Sequence, residues 1–261
     1  MGPHFWMLKP TLALTVLGMV TVLSIGQGGG VVTSKKPYAR TGNEVTLSGT
    51  IKLTGKRAKP RRIDMSADLV CYQVNPDPKT EDVVGSKGKL ANVFVYVKSV
   101  ELDSYTFDQP SSAAVLEHKG CRYVPHVLGM RVGQPLTILN SDPTYHNTHP
   151  TPKSNLEWNQ TQSPGSPPLK KTFDQPEFIP FKDNQHPWEE AYVGVFAHPF
   201  FAISDESGNY RIEGLPPGRY TVVVRHETLG EKTGDITLVP GEARDLSFSF
   251  DAEDRWSILR G

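Results

Sequence analysis

Four side chains have the types and spacing to gather round one ion. In Pro180 to Val195, read P-F-K-D-N-Q-H-P-W-E-E-A-Y-V-G-V, Asp183, His186 and Glu189 recur every third residue. One tight turn can therefore aim two carboxylates and an imidazole at a single point. Upstream, Asn140 to His149 reads N-S-D-P-T-Y-H-N-T-H, a turn-rich loop at a strand end that offers His146 as a fourth donor. Two nitrogens and two oxygens without a thiolate suit zinc, or copper(II) in a tetragonal arrangement. The alternative is a site without metal, in which Asp183 and Glu189 cap the loop and pair with the histidines.

His126 and His149 are the further candidate ligands. A histidine following Pro125 in a strand-rich stretch more often serves as a hydrogen-bonded structural residue, and His149 reads as a solvated loop residue. His118, His198 and His226 have no partner at ligand spacing and read as structural.

Strands must carry these loops. Val45 to Gly55 alternates apolar and polar residues, Leu90 to Val97 points Val93, Val95 and Val97 one way, and Pro135 to Asn140 feeds the His146 loop. Lys170 to Phe181 runs back as a strand into the Asp183 turn, after a polar loop, Thr151 to Pro168, that could cover a site. Its Trp158 could stack on a sugar, though a lone Trp more often packs into the body. With 23 glycines and 22 prolines and no low-complexity repeat, the chain predicts many turns between short strands. The fold class is all-β, a Greek-key β-sandwich from about 45 to 250, with ligands meeting at one end.

Charge excludes some partners. In 261 residues, 28 basic side chains balance 28 acidic ones, which leaves no footprint for nucleic acid and no polybasic signal for anionic lipid. Lys9 leads into an apolar run from Thr11 to Ile25, too short to span a bilayer comfortably. It fits a secretory h-region; the other reading is an uncleaved anchor, the one contact with membrane this chain would make. Either places the body outside the cytoplasm, as a periplasmic, secreted or membrane-anchored protein. In that setting the two cysteines, Cys71 and Cys121, form a disulfide or remain as two buried thiols.

The order strand, N-x-D, then H-N, and a distant loop with H-P-W resembles the cupredoxins, specifically the plastocyanin-like secreted proteins of methylamine-utilisation type. The stretch C-R-Y-V-P-H, Cys121 to His126, is similar as well. In that family the second loop runs Cys, two residues, His, two residues, Met, and these join the upstream His around a blue copper. The resemblance puts His146 and His186 at the imidazole positions, Asp183 at the Cys position and Glu189 at the Met position. Both sulfurs are thereby replaced by oxygen.

Further on, D-E-S-G-N-Y-R-I-E-G-L-P-P-G-R-Y-T-V-V-V resembles the carboxypeptidase regulatory-like, transthyretin-like module, over roughly 201–250, with glycines where its tight turns fall. The domain reading is 1–28 signal peptide or anchor, 29–44 linker, 45–200 cupredoxin-like, 201–250 regulatory-like and 251–261 tail. Strands from 45–100 could complete the regulatory-like sandwich.

No G-x-S-x-G, H-E-x-x-H, Walker loop or G-x-G-x-x-G occurs. Two histidines plus a carboxylate could imitate the open iron site of non-haem oxygenases, but no acid/base pair or substrate motif stands nearby, and the expectation is a non-catalytic chain. Three functions fit: a sulfur-free divalent-metal protein holding copper or zinc, a metal-free module that binds a protein or glycan partner, and a copper electron-transfer protein as in the resembling family.

Overall fold

The computed structural model describes residues 1–2 and 35–253; the leader, 29–34 of the expected linker and 254–261 of the tail lie outside the described residues. Two sandwiches share the chain. In one, a sheet runs in the order Gln160–Gln162, His146–Pro150, Glu177–Lys182, Glu190–Phe196, Val127–Arg131, faced by a second in the order Leu169–Lys171, Leu136–Asn140, Ala114–His118, Tyr123–Val124. Leu116, Leu136 and Ile138 meet Met130, Ile179, Phe181 and Val193 between them. Each is at most 1 % exposed, so each contributes about 1.5–3 kcal/mol of hydrophobic burial.

The other sandwich takes strands from both ends of the described chain. Its sheets run Phe201–Ile203, Phe94–Lys98, Gly218–His226, Gly230–Leu238 and Asn209–Leu215, Val45–Thr54, Arg244–Asp245, with Phe248–Asp251 also on Val45–Thr54. The alternation of Val45–Thr54 buries Val45, Leu47 and Ile51 against Tyr210, Ile212 and Leu215. Gly49 is required there, because a Cβ would stand 2.2 Å from the Leu246 carbonyl and 2.7 Å from the Tyr210 ring. Phe94, Val127 and Phe196, joined by Tyr96, Phe178 and Phe201, cement the two sandwiches. The first sandwich thus stands between Phe94–Lys98 and Phe201–Ile203, strands that pair with each other.

Three expectations change. Lys170 to Phe181 is two strands in different sheets, Leu169–Lys171 and Glu177–Lys182. Asn155 Oδ1 takes the amides of Asp174 and Gln175, at 2.9 Å each, and Pro176 offers no donor, so the ladder breaks between them. Residues 36–37 of the expected linker pair with Tyr105–Thr106. A helix, Leu69–Val74, appears where no element was read; Asp68 caps it by accepting from Val70 N and Cys71 N.

Cys71 and Cys121 form a disulfide that joins this helix to the turn after Ala114–His118. Among the described residues, no helix is long and apolar enough to cross a membrane.

Candidate metal centre

Four donors sit at strand ends of the first sandwich, and His186 lies in the turn between two of these strands. His118 closes Ala114–His118, His146 opens His146–Pro150, Asp183 follows Glu177–Lys182 and Glu189 precedes Glu190–Phe196. The turn between the last two is self-supporting: Asp183 Oδ1 accepts from Gln185 N (2.7 Å) and His186 N (3.0 Å), and Glu189 N donates to His186 O (2.8 Å). That leaves Asp183 Oδ2, which accepts from Asn147 N at 2.9 Å, facing both imidazoles.

Of the four residues expected as ligands, His146, Asp183 and Glu189 gather in one buried group with His118, and His186 reaches it through Asp183 and His146. His146 Nδ1 lies 2.9 Å from Glu189 Oε2 and 3.1 Å from Asp183 Oδ2, and His186 Nδ1 lies 3.2 Å from Asp183 Oδ2 and 3.2 Å from His146 Nδ1. Tetrahedral zinc with nitrogen and oxygen ligands separates its donors by about 3.3 Å, so these spacings are close to the edges of such a shell. Glu189 Oε2 is buried and makes no hydrogen bond; its approach to His146 is close but misaligned for one. An orphaned carboxylate oxygen turned toward the His146 Nδ1 that also faces Asp183 Oδ2 fits a divalent cation. The set does not fit a blue copper, which needs a thiolate, and both cysteine sulfurs are in the disulfide.

Electrostatics agree with a negative pocket. Burial works against charge on His146, yet the carboxylates of Asp142, Asp183 and Glu189 around it outweigh burial and push the imidazole up to about 11. Burial also opposes charge on Asp183, but its contacts with His146 and His186 and the amides of Asn147 and His186 hold the carboxyl far below the usual range. His186 is raised in the same way, against burial, by Asp183 and Asp68.

His118, read as structural, belongs to this cluster. Its Nδ1 is 2.8 Å from Glu189 Oε1 and its Nε2 2.9 Å from Thr148 Oγ1, fully buried, with its ring stacked on His146. Asp142 and Asp68 were also missed; they meet His146 Nε2 and His186 Nε2, each at 3.1 Å. Asp142, four residues before His146, was findable from spacing, whereas nothing local marks Asp68 or His118.

His126 and His149 do not join the cluster. His149 alternates with His146 and Thr148 to the other face of its strand and meets Glu157 Oε1 (2.7 Å) and Asn184 Oδ1 (3.2 Å). His126 reaches across to the other sandwich, to Glu227 Oε2 at 2.9 Å, and pairs with Glu190 O at 3.1 Å. Trp158 packs on Phe181 in the core and so does not stand free over a ligand.

Residues 182–251 match the carboxypeptidase regulatory-like domain. The match begins one residue before Asp183, earlier than the expected 201. Solved structures similar to this chain are cupredoxins and a relative of them. A copper-containing nitrite reductase (NirK) from Thermus scotoductus SA-01 is 16 % identical at a TM-score of 0.31, covering 33 % of this chain but only 23 % of its own. A purple cupredoxin from Nitrosopumilus maritimus is 20 % identical at 0.28, covering 32 % of this chain and 99 % of its own. An oxidised amicyanin variant is 18 % identical at 0.30, covering 33 % and 84 %. No curated protein matches the sequence at a significant level. The chain combines a regulatory-like domain match with cupredoxin-like β-sandwich neighbours, while the chemistry of the site follows from its own donors.

Proposed function

We propose that this chain is an extracytoplasmic, non-catalytic cupredoxin-like protein that holds one divalent ion, zinc or copper(II), through His146, His186, Asp183 and Glu189. The observation that carries the reading is the buried, unbonded Glu189 Oε2 meeting Asp183 Oδ2 at His146 Nδ1, with His186 Nδ1 against the same Asp183 oxygen. The ion would supply the positive charge that this donor set calls for, in place of a proton on His146. His118 supports the set from behind by fixing the other Glu189 oxygen. Placement outside the cytoplasm rests on the apolar leader and on the disulfide, which persists in oxidising compartments.

Zinc and copper(II) titrated into chelator-stripped protein should each bind one equivalent, and the copper form should be pale, without an intense thiolate band, and hard to reduce. His186→Ala should abolish binding. A folded protein that takes up neither ion, or a His186→Ala variant that binds as wild type, overturns the assignment and leaves the metal-free interaction module as the reading.

A further inference from the structure

Two carboxylates behind the histidines are fastened to the same covalent feature. Asp68 Oδ2 meets His186 Nε2 at 3.1 Å and accepts from Thr144 Oγ1 at 3.0 Å, while its Oδ1 accepts from Val70 N (2.8 Å) and Cys71 N (3.1 Å). Asp142 Oδ2 meets His146 Nε2 at 3.1 Å and accepts from Cys121 N at 2.8 Å, while its Oδ1 accepts from Gly120 N at 2.7 Å. One carboxylate is thus held by the amide of Cys71 and the other by the amide of Cys121, and those residues are bonded to each other. Both cysteines are fully buried, and Trp188, whose ring lies 5.2 Å from that of His186, donates to Cys121 O at 3.2 Å.

A carboxylate only accepts, so the nitrogen facing it must carry the proton. Carboxylates face both nitrogens of each ring; with an ion on the Nδ1 side, the one proton of the neutral imidazole sits on Nε2, where Asp68 or Asp142 accepts it. We infer that Asp68 and Asp142 are positioning residues that set the tautomer and aim of the two imidazole ligands, and that the Cys71–Cys121 bridge, by holding both, sets the affinity of the centre for its ion. This inference rests on the metal reading of the site. Partners behind a ligating histidine carry about 10- to 100-fold in metal affinity. Linkage makes the effect reciprocal: if the bridge tightens metal binding, bound metal protects the bridge from reduction by the same factor. In that reduction a dithiol gives two electrons and two protons to the bridge, leaving two thiols and becoming a disulfide itself.

The test measures zinc affinity of the full chain by competition with a chromogenic chelator. Asp68→Asn keeps an oxygen to cap the helix but turns an amide donor toward His186. It should bind zinc about 10- to 100-fold more weakly, as should Asp142→Asn. In nitrogen-15 spectra of the zinc-loaded protein, the His186 proton should be on Nε2. Wild-type affinity in both Asn variants, or a proton on Nδ1, overturns the positioning roles while the metal site stands. Cys71→Ser with Cys121→Ser should also lose at least about tenfold; unchanged affinity overturns the brace. If that variant does not fold, the dithiol concentration that half-reduces wild type decides instead. It should rise when zinc is bound, and an unchanged midpoint overturns the linkage. Wild type that binds no zinc is a separate result, which brings down the metal reading itself and this inference with it.

Discussion

His118 shows how much of the centre depends on groups that need not touch an ion. Its ring lies flat on His146, 4.6 Å away, and its two nitrogens tie Glu189 to Thr148 in a region without solvent. His118→Ala leaves a buried carboxylate oxygen and a buried hydroxyl short of a partner and opens a void. We expect a loss on the order of 3 kcal/mol in denaturant unfolding of the metal-free protein, with the slope unchanged. A loss below about 1 kcal/mol would show that Glu189 finds another partner. A second histidine carries a pH prediction. Burial, then the nearby His126, lowers His226 to about 4, and its Nδ1 accepts from Thr228 N and Leu229 N. A depressed folded value means stability present above the unfolded value of about 6.5 and lost as pH falls toward 4. This group should remove about 3 kcal/mol between those limits, and His226→Asn should flatten the loss when unfolding is followed from pH 7 to 4. Why one histidine is legible in sequence and another is not comes down to distance along the chain. Asp183, His186 and Glu189 share a turn, so their spacing reports their geometry, whereas His118 reaches Glu189 across 71 residues, through pairing that no local pattern encodes.

At the scale of elements, the short helix Leu69–Val74 was hidden because six residues give no helical period, and because its stability comes from Asp68 and the bridge. Strand alternation, by contrast, made Val45–Thr54 and the buried row Val93, Val95 and Val97 plain. The break between Leu169–Lys171 and Glu177–Lys182 escaped notice because Asn155, well outside the segment, supplies the acceptor that replaces the ladder. The bridge itself closes 50 residues, which in the chain-entropy account is worth about 4 kcal/mol. Replacing both cysteines by serine should lower unfolding stability by about that amount in metal-free protein, measured by urea titration. Equal stability with and without the bridge would mean that the helix is anchored by other contacts.

Residues 35–253 form one sandwich placed within another. Val45–Thr54 and Phe94–Lys98 find their partners only after residue 200, and the carboxypeptidase regulatory-like match at 182–251 covers only the later part of that sandwich. An isolated 182–251 segment lacks the strands that cover Tyr210, Ile212 and Val224, and should show no cooperative melting by circular dichroism. A sharp transition in that fragment would overturn this account. Gly194, in the sheet of the metal-site sandwich, lies against Phe94 of the other, where a Cβ would stand 2.8 Å from the ring, so the two pack too closely to be independent beads. The pairing of Val45–Thr54 with Phe248–Asp251 is parallel, Phe248 beside Ile51 and Asp251 beside Thr54. Tension drawn from the two ends of the described chain therefore loads these hydrogen bonds in shear, all at once, instead of unzipping them singly. The force closes through the outer sandwich, and the inserted one, with its histidines and carboxylates, stays off the line of pull until that clamp gives way.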